Sequence, residues 1–430
     1  MAEIEAALRR VARTGSAAWR DRAHPAWLVV RQIGVRGMTA IKFIVGARLL
    51  GPGAIGLVGV ALVSLAITEA MSDTGLSEAV VQRADTLDRD EAGAVWTLQL
   101  ARGLGLGLLL AAASPLICRY FRVPQAQPLM LLAALTLVPR NALNPGIVLV
   151  QRARDFRLLA LALLAGGVLD LVVGIGLVLA HGGAVGLLVG TVVADVWIAL
   201  LSWTRCRMPL RPNLRWKSIG SLTAFGKWVW STSVLTLLVH QADKVVVARL
   251  LGPVELGLYQ VAQKLAQLVM VDTAGLFGQY LYPTLAQLHR DSGSAARDYM
   301  LRLLRRYVPG MAMVAALLAL LAGPLIALGF GPRWLAAVPL LRVLAGYGLA
   351  NGLLIVLVAY LRATGHPRWV SDAAVLQLFV MGVAMGPLYL MLSVSGIALA
   401  LTVATSSAVA ALGWAAWRHA PRVASCAGDG

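Results

Sequence analysis

Ala47-Arg48-Leu49-Leu50-Gly51-Pro52 returns 201 residues later as Ala248-Arg249-Leu250-Leu251-Gly252-Pro253, in a chain of 430 residues. After three further positions each copy reads Gly-Leu, at Gly56-Leu57 and Gly257-Leu258. A six-residue identity with an in-register echo marks a chain built from two similar halves.

The composition says where those halves sit. Hydrophobic residues make up 59% of the chain and charged ones 13%, with mean hydropathy +0.76. A soluble domain carries about 25% charge and less than half apolar residues. The excess falls in apolar runs of about 20 residues, enough to cross a ~30 Å hydrocarbon core. Twelve spans are expected, near 28–49, 54–75, 93–116, 127–149, 158–180, 184–203, 226–248, 256–284, 307–329, 336–361, 369–391 and 396–417. The repeat pairs span 7 with span 1 and span 8 with span 2. An even number of spans per half gives both halves the same orientation, as in transporters with parallel repeats. The expected fold is all-α integral membrane, with about twelve transmembrane helices in two six-helix bundles related by a pseudo-two-fold axis. Residues 1–26 form a cytoplasmic arm without the apolar centre of a signal peptide. The bundles cover 27–203 and 227–418, joined by a cytoplasmic linker at 204–226, and 419–430 is a cytoplasmic tail.

The net charge of +18 raises the question of nucleic acid, and its distribution answers it. Of the 38 Lys and Arg, 25 fall on the side that holds the N-terminus, five on the other, and eight within spans. Basic residues crowd cytoplasmic loops of membrane proteins, so both termini and the even-numbered loops are assigned to the cytoplasm and no nucleic-acid partner follows. Trp203, Trp228, Trp230, Trp334, Trp369, Trp414 and Trp417 lie near the expected interfaces, as an aromatic belt would. Cys118, Cys206 and Cys426 have no metal-ligand or redox spacing, so neither a metal nor a cofactor is expected. No phosphate-binding GxxxxGK[ST] loop is present, and no outward loop is long enough for a catalytic domain.

Ionisable groups within spans are costly against lipid and face the bundle interior or water. Span 8 sets Gln260, Lys264 and Gln267 on one helical face, with Gln263 beside them. Amides around an ammonium suit a ligand that is both hydroxylated and anionic. The other reading of the stripe is hydrogen bonding between bundles. Arg36 and Lys42 on span 1 have no acidic neighbour on their own span, so they face an anion or water, or pair with Glu69 or Asp73 on span 2. Asp170 and Asp195 bridge helices to Arg140 or Arg102. Asp243, Lys244, Asp73 and Asp272 are read as structural or ion-coupling groups. Neighbours on a helix point about 100° apart, so Asp243 and Lys244 are not expected to pair with each other.

Four stretches carry a resemblance to a known family: 47–83 (ARLLGPGAIGLVGVALVSLAITEAMSDTGLSEAVVQR), 148–161 (VLVQRARDFRLLAL), 240–268 (HQADKVVVARLLGPVELGLYQVAQKLAQL) and 281–288 (LYPTLAQL). Their order and spacing resemble the polysaccharide transporter branch, which includes oligosaccharide and lipopolysaccharide flippases, of the multidrug/oligosaccharidyl-lipid/polysaccharide exporter superfamily. The resemblance implies two bundles forming a V around a cationic central cavity. It implies a non-enzyme that flips lipid-linked oligosaccharide repeat units, usually on undecaprenyl diphosphate, across the bacterial inner membrane by alternating access. Arg36, Lys42, Gln260, Gln263, Lys264 and Gln267 would then meet the diphosphate and proximal sugars. Partners would be the lipid-linked oligosaccharide, membrane lipids, and a polysaccharide polymerase with its chain-length machinery. A drug or cation antiporter of the same superfamily would favour acidic and aromatic cavity groups instead. A membrane glycan polymerase or ligase would carry a large outward loop.

Overall fold

The repeated Leu-Leu-Gly-Pro segments build the same joint twice. In the computed structural model, which describes residues 26–71, 89–147, 150, 155–181, 183–205 and 220–418, α1 (Ala26–Leu50) is followed after one residue by α2 (Pro52–Met71). Likewise α7 (Gly220–Leu250) is followed by α8 (Pro253–Ala266). Gly51 at φ 82° and Gly252 at φ 88° take a backbone conformation that costs a residue with a side chain dearly. Each is followed by proline at the first helical position, where its fixed φ and missing N–H do no harm.

The remaining helices are α3 (Arg89–Phe121), α4 (Gln127–Asn141), α5 (Phe156–His181), α6 (Val185–Arg205), α9 (Asp272–Asp291), α10 (Gly293–Leu320), α11 (Ala322–Gly329), α12 (Val338–Ala363) and α13 (Pro367–Arg418). No strand occurs among the described residues. Among the described residues, seven helical segments are long and apolar enough to cross a bilayer on composition alone. The 52-residue α13 supplies two spans, because Ser393 at φ 52° breaks it into a hairpin. Gln377 and Thr405, 28 residues apart, hydrogen-bond across the two arms at 3.0 Å, and Trp369 meets Trp414 edge to face. Gly396 makes this turn feasible, since a Cβ there would collide with the Leu388 carbonyl.

Helices occupy all twelve expected span positions. Several boundaries differ. α9 runs to Asp291 and α10 starts at Gly293, so helix fills most of the stretch expected as a loop between spans 8 and 9. The fourth helix stops at Asn141, not 149: Pro145 follows, and Asn144 is held in a turn, accepting from the Gly146 N–H at 2.8 Å and donating its own N–H to Ser202 Oγ at 2.9 Å. The helix of span 7 begins at Gly220, inside the expected linker. Residues 1–25, 206–219 and 419–430, which hold most of the expected arm, linker and tail, and Asp73 lie outside the described residues.

Contacts divide the chain into two compact units, residues 1–234 and 235–430, with the division inside α7. In the first, α5 packs on α1 and α6, and α4 on α2, α3 and α6. Small residues set these distances: a Cβ on Gly190 would strike the Asp170 carbonyl, and one on Gly103 the Leu137 carbonyl. In the second, α12 is the centre, packed by α8, α9, α10 and α13. Leu108, Leu116, Leu179, Leu328 and Leu390 are each more than two-thirds exposed. Such bare leucines would make a soluble protein aggregate and are ordinary where lipid is the solvent.

Candidate functional site

The first unit turns its intramembrane charges inward. Lys42 on α1 spends all three ammonium protons inside the bundle: Asp170 Oδ1 on α5 at 2.5 Å, the Leu187 carbonyl at 2.7 Å and Thr191 Oγ1 at 3.0 Å on α6. Thr191 also donates to Asp170 Oδ1 at 3.2 Å. Gly174 leaves the room, since a Cβ there would sit 3.0 Å from Lys42 Cε. Arg140 on α4 holds Asp195 Oδ2 on α6 at 2.8 Å and Glu69 Oε1 on α2 at 3.0 Å. Arg102 on α3 donates to the Glu69 carbonyl at 3.3 Å. Six helices are thereby stitched by charge. Of the two carboxylates read as bridging to Arg140 or Arg102, Asp195 meets Arg140 and Asp170 meets Lys42. Lys42 is expected from the sequence to meet cargo; in this structure its three donors are committed within the bundle. Among the described residues its partner is Asp170, while Glu69 pairs with Arg140. Arg36 lies six residues before Lys42 on α1, where the Gln32 amide oxygen, once turned toward it, accepts from its Nε at 2.9 Å and Nη2 at 2.8 Å.

The second unit has a different arrangement on α7 and α8. Asp243 is fully buried and accepts from Tyr259 Oη at 2.6 Å and Gln263 Nε2 at 3.2 Å, both on α8. It thus ties α7 to α8. Lys244 curls back so that its Nζ lies 3.5 Å from Asp243 Oδ1 while it donates to the His240 carbonyl. The adjacent pair, not expected to pair intimately, thus comes within ion-pair distance without a hydrogen bond between them. A four-carbon stem overcomes the angular separation of the two Cα–Cβ bonds. Gln263 shares its amide with Asp243, so it is a bridging residue first.

The remaining stripe faces away from the unit's packed side. Leu256, Val261, Ala262 and Ala266 are buried on α8, whereas Gln260 and Lys264 are half-buried and Gln267 is exposed. Directly after Lys264 the helix loosens into a π-turn, Gln267–Val271, in which the Asp272 N–H reaches back to the Gln267 carbonyl. π-turns inside helices occur disproportionately at functional positions. Asp272 opens α9 on the far side of this turn. The structure therefore sets Gln260 and Lys264 on the less buried face of α8, with Gln267 opening the π-turn after it, and withdraws Lys42 into the first unit's interior. Tyr259, the hydrogen-bond partner of Asp243, was missed because an aromatic in an apolar span looks like core. Asn351 and Gln377 were missed too. The signal was available: each is a lone amide in an otherwise apolar run, which is expensive without a partner.

A chain of apolar helices in two units, with charges neutralised inside one and an amide–ammonium face on the other, has the architecture of a multi-pass membrane transporter. Solved structures share this fold: a lipid II flippase, MurJ, in an inward closed conformation matches with TM-score 0.72 at 15% identity, covering 90% of this chain and 87% of that one. A multidrug resistance MATE family transporter in an inward-facing conformation matches with TM-score 0.66 at 15% identity, covering 91% and 97%. The chain belongs to the family described as polysaccharide biosynthesis protein, whose profile matches residues 45–339. It is similar to the lipopolysaccharide biosynthesis protein WzxC of Escherichia coli (strain K12), 25% identical over 353 residues, 79% of this chain and 67% of that protein. It is equally similar to the succinoglycan biosynthesis transport protein ExoT of Rhizobium meliloti (strain 1021), 25% identical over 348 residues, 79% and 68% respectively.

Proposed function

We propose that this protein moves lipid-linked oligosaccharide repeat units across the bacterial inner membrane for surface polysaccharide assembly, by alternating access. Family membership and the names of its relatives support the class of cargo, and the shared fold supports the mode of transport. The observation that carries the reading is the face of α8: a lysine flanked by two amides one turn either side, at the entrance to a π-turn. Lys264 would take the diphosphate of a polyprenyl carrier, with Gln260 and Gln267 hydrogen-bonding the proximal sugar hydroxyls. Arg36 would contact cargo as well. The basic loops support cytoplasmic termini, and cargo would then enter from that side, where repeat units are built. A polysaccharide polymerase and chain-length machinery would receive the product.

The antiporter reading has the fold in its favour and the carboxylates against it. Glu69, Asp170 and Asp195 are each held by a cation at 3.0 Å or less, and Asp243 by Tyr259, Gln263 and Lys244. A cationic drug would have to displace one of these partners. Deleting the gene tests the proposal: the repeat unit should accumulate on its carrier in the cytoplasmic leaflet, with surface polysaccharide lost. Normal export of a shortened or unpolymerised product would point to an enzyme instead.

A further inference from the structure

A cavity of about 400 Å³ lies within the second unit among α7, α9, α12 and α13. That volume is in the range of small-molecule sites, about 300–1,000 Å³. Its polar lining is His240, Gln279, Tyr282, Asn351, Arg362 and Gln377. None of the lining residues is acidic. The Lys264 stripe contributes nothing to this lining.

Three of these groups are fixed by bonds that point away from the cavity and leave capacity toward it. Asn351, 8% exposed, donates one amide N–H to Tyr347 Oη at 3.1 Å, and Gln377, 4% exposed, donates one to Thr405 Oγ1 at 3.0 Å. Each keeps a carbonyl oxygen and a second N–H without a partner among the described residues. These free atoms are open to the cavity, where a hydroxylated ligand can meet them. His240 presents Nδ1 to the Thr236 carbonyl at 2.8 Å, so the proton sits there and Nε2 is left to accept. Arg362 forms no ion pair among the described residues. Tyr282 is half exposed and adds an aromatic face.

We infer that this cavity binds a glycosyl unit: a hydroxylated ring hydrogen-bonded by Asn351, Gln377 and His240, stacked by Tyr282, with an anionic substituent against Arg362. Amides and an imidazole give and take hydroxyl hydrogen bonds, and the absence of carboxylates in the lining turns away cations. The inference rests on the proposed transport of lipid-linked sugars for its biological source, although a soluble sugar phosphate has the same chemistry.

Gly275 lines the cavity, and a Cβ built there meets nothing within 4 Å. It can therefore carry a plug. In the series Gly275→Ala, Gly275→Leu and Gly275→Trp, export should fall with side-chain volume, by tenfold or more for tryptophan, while thermal stability holds or rises as the void is filled. Gln377→Leu, which adds no bulk, should lower export severalfold and guards against a plug that disturbs folding. Saturation-transfer NMR on the purified protein, with glucose 1-phosphate as probe, separates the sources. A signal in the wild type that Gly275→Trp removes shows that the site takes soluble sugar phosphates. No signal combined with plugged export shows that it takes sugar only on the lipid-linked cargo. If deletion of the gene leaves export intact while the plug removes the NMR signal, the site stands and the flippase reading fails. Wild-type export in both Gly275→Trp and Gln377→Leu, with no probe signal sensitive to them, overturns the inference.

Discussion

Positions 42 and 243 are the same slot of the 201-residue repeat, and both hold a buried charge, but of opposite sign. Lys42 reaches α5 and α6 of its own unit, whereas Asp243 reaches the next helix, α8. Nine residues on, each half turns through the same Gly-Pro joint, at Gly51 and Gly252. The backbone solution has thus been kept in both halves while the chemistry in the slot has been exchanged. One half uses its intramembrane charges as mortar. The other ties one carboxylate down with a phenol and an amide, and turns an ammonium and two further amides to the opposite side of α8. Duplicated membrane folds can afford this because backbone hydrogen bonds are satisfied within each helix, leaving side chains free to diverge.

The comparison breaks most visibly at the Lys42–Asp170 bridge. Asp170→Ala strands a buried ammonium and should cost about 3–5 kcal/mol, the range for removing one partner of a buried pair. Thermal unfolding in detergent would read this as a large drop in Tm. The paired change Lys42→Met with Asp170→Leu removes both charges and should recover most of the loss. Export should recover with it. A stable double variant that cannot export would mean that Lys42 works on cargo after all.

The second unit's counterpart should be milder. Tyr259→Phe deletes one hydrogen bond to a charged acceptor, worth about 1.5–3 kcal/mol, and leaves Gln263 and Lys244 in place. A loss as large as that of Asp170→Ala would show that Asp243 depends on Tyr259 alone. Smallest are Gln260→Ala and Gln267→Ala, each removing one neutral hydrogen bond to cargo of about 0.5–1.5 kcal/mol. Each should slow export without moving Tm.

Much of the fold could be read from residues in order. Apolar run lengths placed the spans, and the Leu-Leu-Gly-Pro repeat located both joints before any coordinates. Periodicity also put Gln260, Lys264 and Gln267 on one face. What it could not supply was adjacency between helices. Lys42 finds Asp170 across 128 residues of sequence, and nothing in the spacing of either marks the other as its partner. Lys244 escaped for a local reason, since helix geometry fixes where Cβ points and leaves open where a long flexible stem ends. The cavity was invisible because it belongs to four helices at once, with Asn351 and Gln377 each appearing as a single misplaced amide. The π-turn after Lys264 has no sequence signature at all.

The central claim is that the second unit's α8 face handles the anion of the cargo while the first unit's buried lysine is structural. It is tested most directly by reconstituting the protein in proteoliposomes with a lipid-linked oligosaccharide and following its arrival in the opposite leaflet. Lys264→Ala should abolish translocation with protein level and insertion unchanged. Lys264→Arg should retain part of it, because charge matters more than fork geometry for a mobile diphosphate, and the Lys42→Met, Asp170→Leu variant should translocate at a rate close to wild type. Translocation that survives Lys264→Ala but is lost in the charge-free double variant would contradict the account.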